Sequence, residues 1–358
     1  MINVLVLGVG GNVSQGILKA LRASDLELHI VGACIGPLST GLYMCDEACI
    51  SPYANNPKFI GWLTGVCNEK NIDIVLTGVE ENIRAIAKDI DTFRAGTKAI
   101  FISSSYEQLL VGQDKLATCR WLKENGCNYP DFCELTDKKG CEELAKRTGY
   151  PLIAKPCSGK SAQGIFFIRN DEELSRFAGT DGYVLEECLG TDKDEYTVGC
   201  YCNKEGRLMD VIVMHRDLRH GTTMHAVVVE NEAIRAEAER ICKAYKPGGP
   251  MNIQMRVDKT GRAVCFEMNV RFSGTTAMRA NFGYRDVEAM IREYVLGEEI
   301  DGCFNVRPGE AFRYDNEMYI FGDAVQQMAD EGSISDLSRY EIRYDNTLAK
   351  LPSPKRKS

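Results

Sequence analysis

The chain has 358 residues, 44% hydrophobic and 26% charged, with a formal net charge of −8. That length exceeds what one core usually supports, so two or three domains of an ordinary globular protein are expected. The acidic balance, with Lys355–Lys357 as the only basic run, argues against a nucleic-acid partner. No apolar stretch approaches the ~18 residues of a membrane span, and no basic region precedes the first strand, so neither a membrane partner nor a signal peptide is expected.

Ile2 to Val9 reads as a buried strand, and Gly10 to Gly16 as a turn into a helix through Leu21. Leu28 to Cys34, Ile72 to Thr77 and Ala99 to Ser103 read as further strands, with helices over Pro57 to Glu69 and Asn82 to Ile90. Strands alternating with helices predict a parallel sheet with right-handed crossovers. Ligands of such sheets bind beyond the carboxyl ends of strands, which makes Gly10-Gly11-Asn12 and Thr77 to Glu81 candidate substrate groups. Glu80 and Glu81 also suit a plain helix start, where acidic charge meets the positive end of the dipole. The segment Val4 to Val13 resembles a dinucleotide fingerprint. However, Val13 stands where a third glycine belongs, and the next strand ends in Ile35-Gly36-Pro37 with no acid for a ribose, so NAD is not expected.

Asp114-Lys115 opens a helix that ends near Gly126. Tyr150 to Pro156 is a short strand with Lys155 near its end, followed by the small-residue run Ser158 to Gly164 and the strand Ile165 to Ile168. Such a unit can fold over a triphosphate with backbone N–H donors, and Lys155 is a compact cation suited to phosphate oxygens. Gly159-Lys160-Ser161 is not a Walker A end, because position 154 is alanine and the segment leads into a strand rather than a helix.

Val184 to Gly190 and Glu195 to Val198 follow. Glu195 closes a charged turn of a kind that is usually only solvated. Between Val211 and Val227 two apolar strands flank a cationic loop in which Arg216, Arg219 and His220 either bind an anionic substrate or form an ordinary polar hairpin end. Met251 to Val257 and Val264 to Asn269 form a hairpin through the Lys259-Thr260-Gly261 turn. Period-2 alternation sets Val264, Phe266 and Met268 against Cys265, Glu267 and Asn269. Glu267 and Asn269 then share one face, either an oxygen platform for Mg²⁺ or the wet face of an edge strand. Arg271 beyond them would offer a guanidinium fork to phosphate, and Arg279, on the helix-forming Ala277 to Asn281 segment, is a further substrate candidate. Strand-like runs at Met318 to Phe321 and Tyr340 to Tyr344 complete the last lobe or make a homodimer contact.

The fifteen cysteines are scattered without a CxxC pair, and the four histidines have poor metal spacing. A reducing cytoplasm is the expected location and structural zinc is not expected.

Read in order, these pieces resemble the ATP-grasp superfamily, and within it the synthetase halves of the carbamoyl-phosphate synthase large subunit. The resemblance rests on Asp114-Lys115, Ile153 to Pro156, the small-residue loop, Val184 to Gly190, Glu195 to Val198, Asn252 to Gln254 and Phe266 to Arg271. It implies an α/β and α+β fold: an N-terminal Rossmann-like parallel-sheet domain (1–112), then a two-lobed ATP-grasp domain with a small lobe (113–185) and a large lobe (186–358). It implies that Lys115 and Lys155 contact the phosphates of ATP, with Ser158, Gly159 and Gly164 in the covering loop. Glu186, Glu187 and Leu189 would form the adenine hinge, and Glu195 would hold the ribose. Gln254, Glu267 and Asn269 would ligate one or two Mg²⁺ (or Mn²⁺), and Arg271 would steady the transferred phosphoryl group; Arg271, Lys155, Glu267 and Asn269 are the catalytic set. Glu80, Arg216, Arg219 and Arg279 are left for the substrates. Two departures from the resemblance are Ala162-Gln163, where relatives are richer in glycine, and Val270 in place of proline.

The implied activity is an ATP-dependent carboxylate–amine ligase that passes through an acylphosphate. Bicarbonate activation and a non-catalytic nucleotide sensor are the alternatives. Small-molecule carboxylates and amines are the expected partners.

Overall fold

Apolar strands alternate with amphipathic helices over the first hundred residues, and in the computed structural model they build one sheet. The structure describes residues 1–159, 164–191 and 194–343. The middle of the covering loop (160–163), part of the charged turn (192–193) and the end of the last predicted strand therefore lie outside the described residues. Strands β1 (Ile2–Leu7), β2 (Leu28–Cys34), β3 (Glu47–Ile50), β4 (Ile74–Thr77) and β5 (Ile100–Phe101) alternate with helices α1 (Asn12–Arg22), α2 (Phe59–Glu69), α3 (Glu80–Lys88) and α4 (Ile90–Gly96). The strands run parallel in the order β3-β2-β1-β4-β5. Chain order reverses on either side of β1, so the crevice between the ends of β1 and β4 is the place where such sheets bind ligands. Only glycine fits at the turn out of β1. Gly8 has φ +68°, and a Cβ there would come within 2.3 Å of Val79 Cγ2.

Helices α5 (Tyr106–Gln113) and α6 (Lys115–Glu124) lead out of this sheet. A reciprocal Ser105–Gln108 capping box starts α5, and the Asp114 side chain caps α6 by accepting from Ala117 N–H. Next come β6 (Phe132–Glu134), α7 (Lys138–Thr148), β7 (Leu152–Pro156), β8 (Phe166–Ile168), α8 (Asp171–Phe177) and β9 (Tyr183–Glu187). Their strands form an antiparallel sheet in the order β6-β9-β7-β8. Its core, which includes Leu144, Leu152, Ile168 and Leu185, is a cluster of its own.

The third sheet is antiparallel, in the order β14-β13-β10-β11-β12-β15. It is made of β10 (Glu195–Cys202), β11 (Leu208–Arg219), β12 (Thr222–Val228), β13 (Gly249–Val257), β14 (Ala263–Asn269) and β15 (Glu310–Phe312). Helix α9 (Glu232–Tyr245) packs on it, and α10 (Thr276–Asn281) and α11 (Asp286–Ile291) join it to α1. The Ile253, Met255 and Cys200 side chains share one core cluster with Leu5 and Leu7 of the first sheet.

Toward the end, β16 (Tyr319–Ile320) pairs with β18 (Ile342–Arg343), with α12 (Ala324–Glu331) and β17 (Ser333–Ile334) between them. β17 adds antiparallel to β3, so the last part of the described chain completes the first sheet. No helix among the described residues is long and apolar enough to cross a membrane.

Candidate active site

The second and third sheets, with helix starts beyond the first, wall one cavity of about 840 Å³, within the roughly 300–1,000 Å³ typical of small-molecule sites. Its walls include Asn12 and Val13 at the start of α1, Glu80 at the start of α3, Lys115, Lys155, and the run Glu186 to Leu189. Glu195, Arg216, Gln254, Glu267, Asn269 and Arg271 line it from the third sheet.

Lys155 projects from β7 and is 8% exposed. Its Nζ donates to Glu186 Oε2 at 2.6 Å and lies 5.1 Å from the centre of the Phe266 ring. Burial alone would push this ammonium down. The Glu186 charge and hydrogen bond, with Cys119 and Glu267 nearby, instead hold it above the ordinary lysine value. Lys115 begins α6 with its Nζ 3.5 Å from Gly159 O, while its backbone N–H donates to Cys157 O at 2.8 Å. Lys115 and Gly159 are therefore neighbours, and both line the cavity with Lys155. Ser158 and Gly164 are exposed beside them, and Gly164 has φ +74° against Pro156.

The predicted hinge is rearranged in one respect. Glu186 is 1% exposed and its strand position pairs with both Phe132 and Ile153, so its carboxylate serves Lys155 and Cys119. Glu187 N–H is taken by Asp131 O, and Glu187 Oε1 accepts from Asp131 N–H. It is the segment beyond the sheet, Cys188 and Leu189, that lines the cavity without belonging to a strand.

Gln254 pairs with Glu267 across β13 and β14. Gln254 Nε2 and Asn269 Nδ2 each donate to Glu267 Oε1 at 2.9 Å. The amide oxygens face arginines instead: Gln254 Oε1 accepts from Arg216 Nη2 at 2.7 Å, and Asn269 Oδ1 from Arg271 Nη2 at 3.1 Å. One carboxylate and two amide oxygens on adjacent strands are a hard donor set that fits Mg²⁺ or Mn²⁺. Among the described residues no group of three or more His, Cys, Asp or Glu side chains could hold a metal ion, so this platform, with its two amides, is the metal candidate.

The period-2 expectation for β14 needs one correction. Register slips at Gln254/Met255, which pair with Glu267 and Cys265, leaving Phe266 as the extra residue of a β-bulge. Phe266 therefore joins Glu267 at the cavity while Val264 and Cys265 are both buried.

Glu195 is held by two guanidinium groups. Arg216 Nη2 reaches its Oε1 at 2.7 Å and Arg256 Nη2 its Oε2 at 2.8 Å. Burial would raise this carboxyl, but the Arg216 charge and the hydrogen bonds from Arg256 and Arg216 hold it below the ordinary glutamate range. A depressed carboxylate contributes stability above the unfolded value of about 4.3 and loses it as pH falls through the lower folded value. Urea unfolding of Glu195→Gln beside the unmutated chain should therefore show a stability gap at pH 7 that closes at more acid pH. A gap that stays constant down the titration would remove the ion pairs as its cause.

Arg216 is 6% exposed and its Nε has no partner among the described residues, an orphaned donor of the kind that costs about 1–3 kcal/mol. It is therefore a buried strand residue of the cavity wall rather than an exposed residue of the hairpin loop. Arg219 stands exposed at the hairpin end, outside the cavity walls, whereas His220, with φ +51°, lines the cavity.

Arg279 is the second correction. It is fully buried, with Nη2 2.8 Å from Asp286 Oδ2, and the lack of a side chain at Gly199 lets its guanidinium cross the third sheet. A helical arginine this close to the site looks like a substrate group in the sequence, but packing makes it a core strut. Removing one partner of a buried pair typically costs about 3–5 kcal/mol. Arg279→Met is expected to lower unfolding free energy by that amount in urea titration, with Arg279→Met/Asp286→Leu recovering much of it.

At the end of the cavity formed by β1 and β4, Glu80 Oε1 accepts from Arg271 Nη2 at 2.6 Å and from Nε at 3.0 Å. Arg313 ties this end together, donating to Asn12 Oδ1, Thr223 O and Gly274 O.

Residues 183–309 match a family model described as ATP-grasp in the biosynthetic pathway with Ter operon, and residues 4–100 match the PylC-like N-terminal domain. Residues 183–309 thus match an ATP-grasp model and residues 4–100 a PylC-like one. The chain is 21% identical over 301 residues to the carbamoyl phosphate synthase large chain of Methanosarcina barkeri, covering 76% of this chain and 28% of that protein. The chain thus spans about three-tenths of the length of such relatives. Its fold resembles the N5-carboxyaminoimidazole synthetase of Staphylococcus aureus (TM-score 0.65, 14% identity, 92% of this chain and 85% of that one). It also resembles the L-amino acid ligase of Bacillus licheniformis (TM-score 0.64, 17% identity, 86% and 78%).

Sequence reasoning missed two groups that line the cavity, Arg256 and Phe266, and a third, Arg313, that braces its wall. Arg256 was within reach, since it lies two residues beyond Gln254 on the same strand face and donates to Glu195 and to Leu189 O. Phe266 was hidden by the bulge. Arg313 has no local signal, because its partners at positions 12, 223 and 274 are distant in sequence.

Proposed function

We propose that the protein is an ATP-dependent, ADP-forming carboxylate–amine ligase acting on small molecules in the cytoplasm. The observation that carries this reading is a single cavity joining buried Lys155, the Gln254–Glu267–Asn269 platform, Arg271 and the ends of β1 and β4. The γ-phosphoryl group passes to an oxygen of the substrate carboxylate, leaving ADP and an acylphosphate. An amine then attacks the acyl carbon, the C–O bond to phosphate breaks, and an amide and phosphate are released.

Lys115 and Lys155 bind phosphate oxygens in this reading, Leu189 borders the adenine, and Glu195 binds the ribose. Gln254, Glu267 and Asn269 would hold one or two Mg²⁺ (or Mn²⁺), which offset the charge that accumulates during phosphoryl transfer. Arg271 stabilises the transferring group and the later oxyanion from a fixed position, which costs no reorganisation at the moment of reaction. Glu80 and the Asn12 region contact the acceptor. No covalent enzyme nucleophile is required.

The test is ADP release from Mg²⁺–ATP with pooled carboxylic acids and amines, then splitting the active pool. With the active acid labelled with ¹⁸O in its carboxyl group, one label should appear in the phosphate. Phosphate without label would mean that no acylphosphate forms on that acid, and the reading would be replaced by simple ATP hydrolysis.

A further inference from the structure

The two amide oxygens of the platform are each taken by a guanidinium. Gln254 Oε1 is held by Arg216 and Asn269 Oδ1 by Arg271, and both amides turn their NH₂ groups to Glu267. Each arginine is anchored in turn on a carboxylate outside the platform, Arg216 on Glu195 and Arg271 on Glu80. The site is thus a closed circuit in which positive groups occupy the oxygens that a divalent cation needs.

Arg216 is the more informative of the pair. A single nitrogen, Nη2, serves both Glu195 and Gln254, while the buried Nε serves nothing among the described residues. Its hydrogen bonding is incomplete in this arrangement, so an anionic oxygen entering the cavity would satisfy Arg216 better than Gln254 does. Drawing the guanidinium away would free the Gln254 oxygen and remove a cation from beside it. Metal and anionic ligand would then favour each other through this one side chain, and such coupling is reciprocal.

We propose that Arg216 is a positioning residue that keeps the Gln254–Glu267–Asn269 platform closed to divalent metal until a nucleotide's phosphates draw it off. This deepens the ligase reading above and rests on its assignment of nucleotide and metal to this cavity. It predicts that the metal alone binds weakly, and that freeing Gln254 from Arg216 strengthens binding of metal alone while weakening its dependence on nucleotide.

The experiment follows Mn²⁺ binding by electron paramagnetic resonance, and ADP binding by calorimetry with and without Mg²⁺, for the unmutated chain, Arg216→Gln and Arg216→Lys. In the unmutated chain the coupling between Mg²⁺ and ADP should lie in the usual range of about 5–150-fold. Both variants should bind Mn²⁺ alone about tenfold or more tighter, with the coupling reduced toward one. Arg216→Lys separates a gate from a simple field effect. It keeps the positive charge, but the shorter lysine brings its ammonium short of the place where Nη2 meets both acceptors, so a Lys variant that binds Mn²⁺ like the unmutated chain would overturn the proposal. Unchanged coupling in Arg216→Gln would overturn it equally. Damage to the fold would weaken every affinity and could not produce the expected gain, and if Arg216→Gln does not fold the Lys variant decides. If the unmutated chain binds no ADP with or without Mg²⁺, it is the nucleotide reading that fails, an outcome distinct from the other two.

Discussion

Glu267→Gln should lower ADP formation by about three orders of magnitude or more while leaving the fold intact. Glu267 is the only carboxylate of the platform, and the two amides beside it contribute no charge of their own. The ion that this platform would hold supplies several kcal/mol of charge stabilisation, and each 1.36 kcal/mol is worth about tenfold in rate. The fold should tolerate the change, because a glutamine oxygen can still accept from the Gln254 and Asn269 amides, and Glu267 is only partly buried. Stability in urea is expected to move by no more than about 0.5 kcal/mol, the usual range for changes away from the core. Turnover within tenfold of the unmutated rate would show that the platform does not carry the metal used in the reaction. Loss of activity together with several kcal/mol of stability would show instead that Glu267 is a structural group.

The parts of this site that could be read in the sequence are those set by local periodicity. Alternation in the first hundred residues predicts the parallel sheet, and the ends of β1 and β4 supply Asn12 and Glu80 to the cavity as that topology requires. The i, i+2 spacing of Glu267 and Asn269 survives in β14, because the bulge falls just before them. The same bulge defeats the alternation at Phe266, since a single extra residue reverses the faces of everything before it. Arg279 was misread, and the partners of Arg216 were not legible, for a different reason. Periodicity places a side chain on a face but does not say what covers that face. In this fold Asp286 and Gly199 enclose Arg279, while Glu195 and Gln254 capture Arg216. These partners lie up to 80 residues away in sequence (Gly199 to Arg279), and only the assembled sheet brings them together.

The pair formed by Lys155 and Glu186 gives the second large effect, and it separates stability from function. Both groups are at least nine-tenths buried and their atoms are 2.6 Å apart. Lys155→Met would leave the Glu186 carboxylate without its cation in the interior, where breaking a buried pair typically costs about 3–5 kcal/mol. Met is close to lysine in length and apolar, so little of that cost comes from an emptied cavity. The unfolding free energy in urea should fall by about that amount, and nucleotide binding should fall with it. Adding Glu186→Gln removes the stranded charge and should recover much of the stability, because Gln is nearly the same shape and can still meet Cys119. Nucleotide affinity should not recover, since the compact cation proposed to bind the phosphates is absent in both variants. A double variant that regains stability and ADP binding together would assign Lys155 to the core alone. Recovery of stability without binding is the expected result, and it would mean that this lysine is held by Glu186 for a ligand rather than for the fold.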